Sequence, residues 1–191
     1  MGQSEFTRQR LERAALELFT SQGYHATTTP QIARKAGVAE GTIYRHFTSK
    51  QHLLNELYRA AARAAAKVVA AGEAAGPAPR EKLTAAGRGL VAAAASDPAV
   101  TRIFFLDRHG GLLDEESRKT ARDFRLALEG VVAQGKATGS IKAGTAELWA
   151  GVWLSIVTFA LERVIAREWG SDHGGVTQAL DAAWDAIETD G

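Results

Sequence analysis

Between positions 28 and 50 lies a concentration of side chains able to donate hydrogen bonds or carry positive charge: Thr28, Thr29, Thr42, Tyr44, Arg45, His46 and Lys50. Hydroxyls, an imidazole and an ammonium suit phosphate oxygens. Such contacts fix register on a duplex and carry little sequence information. Arg45 is different, because its planar fork can pair with O6 and N7 of guanine. Gly41 permits close approach to a groove, and the methyl of Thr42 can meet a thymine. Glu40 has two readings, acceptance from a cytosine amine or stabilisation of a helix N-terminus.

Two short helices must hold these groups. Thr28 followed by Gln31 fits a capping box, in which hydroxyl and amide side chain each satisfy one free backbone amide. Pro30 sits in the first turn, where no helical hydrogen bond is lost. Ile32, Ala33 and Ala36 form an inner face, and Gly37 ends the helix in the left-handed region. Val38 plugs the turn. The spacing predicts a second helix over 40–47, with Ile43 and Phe47 inward, four residues apart. Ser49 caps the next helix, placing Lys50 in its first turn. Two short helices joined by a glycine turn make a helix-turn-helix, whose second helix enters the major groove.

The run Ile32-Ala33…Ala36-Gly37-Val38…Gly41-Thr42-Ile43-Tyr44…His46-Phe47…Ser49-Lys50…Leu53-Leu54 resembles the signature of the TetR (tetracycline repressor) family of transcriptional regulators. So does its setting after a helix ending in Phe19 and Gly23-Tyr24. The resemblance covers about residues 11–58. It implies a ligand-responsive homodimer on a palindromic operator, usually a repressor. It also implies that Thr42, Tyr44, His46 and Lys50 stand at DNA-contact positions. Two positions depart from the pattern. Ala39 replaces a Ser or Thr N-cap, worth about 1 kcal/mol. Gln51 stands where glutamate is common.

Composition agrees with a soluble globular chain: 191 residues, 46% hydrophobic, 24% charged, net charge +1. The charge is uneven. Residues 1–60 hold eight Lys/Arg and five Asp/Glu, a net +3, whereas 61–191 hold fifteen and seventeen, a net −2. That sign suits a basic head on a neutral body. With no cysteine, disulfides, thiol catalysis and cysteine metal sites are excluded. The opening Met-Gly-Gln-Ser-Glu-Phe has no signal-peptide pattern, and Phe6 does not fit a myristoylation signal. A cytoplasmic location is expected.

The remaining periodicity is helical throughout. The first helix spans 4–22, with Leu11, Ala14, Ala15, Leu18 and Phe19 inside. Arg8 and Arg10 near its start are either solvated or available to phosphate. Later helices are expected over 49–71, 80–95, from Asp97-Pro98 to Gly110, 114–136, 146–169 and 176–187. The glycines and prolines of 72–79 form the clearest break. The 146–169 helix is uncharged from Leu148 to Leu161, too short a run to span a membrane. Trp149, Trp153, Ile156 and Ala160 are expected on one side and Leu148, Val152 and Phe159 around from it. A helix apolar on more than one face needs cover on both. The last helix carries Val176, Leu180, Ala183, Trp184 and Ile187 in one stripe.

The expected fold is therefore all-α, with about nine helices. Residues 1–48 would form a three-helix DNA-binding domain and 49–191 a helical regulatory and dimerisation domain. The resemblance implies that the last two helices pair with their copies. Phe104, Phe105, Phe124, Trp149, Trp153 and Phe159 are candidates to line a pocket for a small, mainly apolar effector, or else plain core. Arg102, Arg108, His109, Glu162 and Arg163 lie near these apolar runs. Catalysis finds little support. The histidines at 25, 46, 52, 109 and 173 show no paired metal spacing, and His109 with Asp107 and Asp114 is only a faint metal grouping. There is no P-loop, nucleophile elbow or dinucleotide fingerprint. No cofactor, metal or enzymatic activity is expected; the alternative is an all-α small-molecule binding protein or enzyme with structural N-terminal helices.

Overall fold

The computed structural model describes residues 2–189; Met1, where the leader reading begins, lies outside them. Among the described residues there are nine α-helices: α1 (Gln3–Gln22), α2 (Thr29–Lys35), α3 (Ile43–His46), α4 (Lys50–Glu73), α5 (Pro79–Ser96), α6 (Pro98–Phe105), α7 (Glu115–Ala137), α8 (Ala146–Ile165) and α9 (Gly174–Asp185). One isolated antiparallel bridge joins Ile141 to Glu188.

Local caps explain most boundaries. Ser49, Asp97, Asp114 and Thr145 each accept the amide three residues on. Each such cap satisfies an amide that the helix itself cannot. Gly139, at φ +74, turns the chain after α7.

Expectations for α6 and α8 need correction. The helix begun by Pro98 stops at Phe105 rather than Gly110. There Asp107 N–H returns to the Arg102 carbonyl, and His109 Nε2 donates to the Ile103 carbonyl at 2.8 Å, so the turn takes the last carbonyls. α8 stops at Ile165, four residues early. Arg167 takes a left-handed φ of 60° and Trp169 folds back, edge-on to Phe159 and stacked on His173. The sides of α8 also regroup. Ala150, Trp153, Val157, Ala160, Leu161 and Val164 face the core, while Leu148 and Phe159 remain 52% and 48% exposed. By length and composition α8 is in fact long and apolar enough to cross a membrane. Its packing on α5, α6, α7 and α9 is that of a core helix with one side open.

Two hydrophobic clusters form. The first joins Leu11, Phe19, Ile32, Ile43 and Phe47 to Leu53, Leu54 and Leu57 of α4, and to Ile103 of α6. Phe47 is fully buried, and truncating it to alanine costs about 4 kcal/mol. The second cluster holds Val69, Leu83, Leu90, Phe124, Leu128, Trp153, Leu161, Leu180 and Trp184. The helix α4 supplies its first half to one cluster and its second half to the other, so it is a rigid rod shared by both.

Candidate nucleic-acid interface

The capping box forms as its residues require. Gln31 N–H donates to Thr28 Oγ1 at 3.4 Å, and Thr28 N–H donates to Gln31 Oε1 at 2.8 Å. This orients the start of α2 and leaves Thr29 on its first turn. Gly37 adopts φ +65, and Arg10 donates to its carbonyl at 3.2 Å, which closes the turn from the α1 side.

The second helix differs from the expected single unit over 40–47. It opens as a 3-10 turn at Glu40–Thr42 and becomes α-helical only at Ile43–His46. Ala39 offers no side-chain acceptor, and Thr42 N–H bonds the Ala39 carbonyl at 2.9 Å instead. Tightening into 3-10 geometry is a common answer to an uncapped end. Ile43 and Phe47 are buried, which turns the opposite side outward. Gly41, Tyr44 and Arg45 are exposed, and Thr42 and His46 are half-buried. Tyr44 is 57% exposed. Its hydroxyl lies 3.0 Å from Thr29 Oγ1, so the two helices meet at two hydroxyls.

Lys50 is placed differently from a free phosphate ligand. Its Nζ donates to the carbonyls of Tyr24 at 2.8 Å and Thr27 at 2.6 Å, and lies 4.2 Å from the Tyr24 ring centre. Burial pushes its pKa down. Lys50 thus pins the α1–α2 loop to the start of α4. Arg8 pairs with Glu12 and Glu56 and lies over the Phe47 ring, so it too acts inside the head.

A second polar site went unread in the sequence. Asn55 and Arg59 lie among leucines on α4, 1% and 4% exposed. Asn55 Oδ1 accepts from Asp114 N–H at 2.8 Å and Ser117 hydroxyl at 2.7 Å. Its amide donates to the Leu112 carbonyl, as does Gln51. Arg59 reaches both Asp114 oxygens, at 3.0 and 2.9 Å, and Glu56 at 2.6 Å. Burial opposes ionisation of Asp114, but the Ser117 amide and hydroxyl and Arg59 outweigh it and hold the pKa down. The polar spacing 51, 55, 59 within an apolar helix face is the signal that could have revealed this clasp.

The six candidate pocket aromatics do not converge. Phe104, Phe105 and Phe124 pack edge to face at 4.7–5.6 Å, with Phe124 fully buried. Trp153 is core. Trp149 donates to the Ala143 carbonyl, and Phe159 stands at the far end of α8 beside Trp169. Beside Phe105 there is only a crevice of about 50 Å³. The grouping of His109, Asp107 and Asp114 also separates: they bond Ile103, Arg102 and Arg59 respectively. Among the described residues no cluster could hold a metal ion.

Residues 12–57 match the family model "Bacterial regulatory proteins, tetR family". That stretch is a TetR-family helix-turn-helix domain. Its N-terminal part is 52% identical over 53 residues to the HTH-type transcriptional regulator SrpR of Pseudomonas putida, covering 28% of this chain and 25% of that protein. Matches to curated relatives span 21–40% of their length. The whole TetR-type fold is shared with a TetR family transcription regulator from Marinobacter aquaeolei VT8, at TM-score 0.84, 20% identity and 97% of each chain. It is shared too with the transcriptional regulator FadR from Bacillus subtilis in complex with stearoyl-CoA, at TM-score 0.75 and 21% identity, over 94% of this chain and 98% of that one.

Proposed function

We propose that this TetR-family chain is a homodimeric, sequence-specific DNA-binding transcriptional regulator, a repressor released by a small, mainly apolar effector. The observation that carries the reading is the outward face of the second helix, held by buried Ile43 and Phe47. Tyr44 and His46 of that helix, with Thr28 and Thr29 at the start of α2, engage phosphates, and Gly41, Thr42 and Arg45 face base edges. Lys50 contributes mainly by setting the loop that carries Thr28. Residues 1–48 read DNA; residues 49–191 dimerise and sense the effector, with α4 as the shared rod.

Dimerisation is supported by the open apolar side of α8, where Leu148 and Phe159 are exposed and Val152 and Ile156 half-buried. Together with α9 it would pair with the same helices of a second copy. Two heads would then enter successive major grooves of a palindromic operator. The crevice beside Phe105 is far below the roughly 300 Å³ of an ordinary ligand site. An effector entering there must part α4, α5 and α6, and so binds two states of the protein unequally, as release from DNA requires. A bound acyl-CoA in one structural relative supports an apolar effector class. A cytoplasmic location follows from action on DNA.

Selection of duplexes from a random pool at two salt concentrations tests this. One enriched inverted repeat is expected, and Arg45→Ala should relax it at a single position. Weak, salt-sensitive binding without a motif would leave only the electrostatic term and favour an all-α small-molecule binding protein or enzyme instead.

A further inference from the structure

A cleft of about 830 Å³ opens between the end of α1, with the loop that follows it, and the connection from α6 to α7. Its volume lies within the roughly 300–1,000 Å³ of small-molecule sites. It is separate from the crevice beside Phe105. Tyr24 supplies apolar surface from the head, with Phe19 buried behind it, and Leu106 and Leu112 supply it from the body.

The charge in the cleft is unbalanced. Arg102 and Arg108 line it against the single carboxylate of Asp107. The Asp107 carboxylate accepts from Arg102 Nε at 3.1 Å. Among the described residues, the two terminal nitrogens of Arg102 and the whole Arg108 guanidinium have no acceptor. Two guanidiniums with free forks are the arrangement that recognises a planar carboxylate.

Both walls are fixed. On the body side the Leu112 carbonyl accepts from Gln51 at 2.7 Å and from Asn55 at 3.0 Å. On the head side Lys50 holds the carbonyls of Tyr24 and Thr27. Walls braced in this way lose little entropy when a ligand orders them.

We propose that this interdomain cleft binds a small amphipathic carboxylate, its anionic group on Arg102 and Arg108 and its apolar part against Tyr24, Leu106 and Leu112. The site stands independently of the DNA-binding reading, and its occupancy is measured without DNA. Because one wall belongs to the head and the other to the body, a bound molecule would favour their present separation.

Calorimetric titration of the full chain with 1-naphthoate, 1-naphthamide and 1-(aminomethyl)naphthalene tests the proposal. One saturable 1-naphthoate site per chain is expected, with the amide weaker by about tenfold and the amine weaker still. Arg108→Glu should weaken 1-naphthoate by at least about tenfold. It should leave the thermal midpoint of the unliganded protein unchanged, since Arg108 has no partner to lose among the described residues. Arg125→Glu, at a separate crevice between α7 and α8, should leave binding intact. No saturable 1-naphthoate site, equal affinity for acid and amide, or an indifferent Arg108→Glu would overturn the proposal.

Discussion

Thr29 Oγ1 and Tyr44 Oη stand 3.0 Å apart across the helix-turn-helix. One is on the first turn of α2 and the other on α3, fifteen residues later, and both hydroxyls remain open to solvent. A single phosphate can therefore meet both. Tyr44→Phe removes one hydroxyl from an exposed pair. Affinity for the selected duplex should fall by about fivefold, the worth of roughly 1 kcal/mol, while the thermal midpoint stays put. Fluorescence anisotropy titration beside a melting curve checks both halves.

The clasp between α4 and α7 is structural. In Asn55→Ala the Asp114 amide and Ser117 hydroxyl each lose an acceptor. The expected loss is about 2 kcal/mol of stability, seen as a lower midpoint in urea with an unchanged slope.

The same clasp gives a pH dependence of known sign. Asp114 and Glu56 both have folded pKa values below their ordinary 3.8 and 4.5. For Glu56, burial acts upward and the guanidiniums of Arg59 and Arg8 more than offset it. A depressed carboxyl stabilises the fold above its unfolded pKa, and that stability drains as pH falls through the folded value. Glu12 and Asp107, raised by burial, act in the opposite sense. Stability should therefore drop below about pH 4.5, and Asp114→Asn should flatten that drop. Urea midpoints measured from pH 6 downward on both proteins decide it.

Leu148 and Phe159 stand on the uncovered side of α8. If a second copy covers them, Leu148→Glu with Phe159→Glu buries charge in an apolar interface and should halve the mass in solution. Light scattering on a sizing column reads that mass. Helical circular dichroism should survive, because neither side chain belongs to the monomer core.

Much of the head could be read from its residues because its determinants are short-range. The Thr28–Gln31 box, the left-handed Gly37 and the Ser49 cap each act within three or four residues. The pairing of Ile43 with Phe47 follows from helical period alone. Even the weak start of the second helix was foreshadowed by alanine at position 39, although its form as a 3-10 turn was not.

Other features depended on residues brought together from far apart in the chain. Lys50 looks like a phosphate ligand in sequence, yet two carbonyls 23 and 26 residues earlier capture its ammonium. Asn55 and Arg59 find partners 55 to 62 residues away, on a helix whose register nothing local sets. The six aromatics share one composition and divide among core, surface and helix end according to which face of α6, α7 or α8 each occupies. Caps and helical period are set by the backbone's own near neighbours, so the amino-acid order determined them. Which charges are spent internally, and where two domains leave a cleft, is decided only when the helices dock, because long side chains take whatever partner that docking brings within reach.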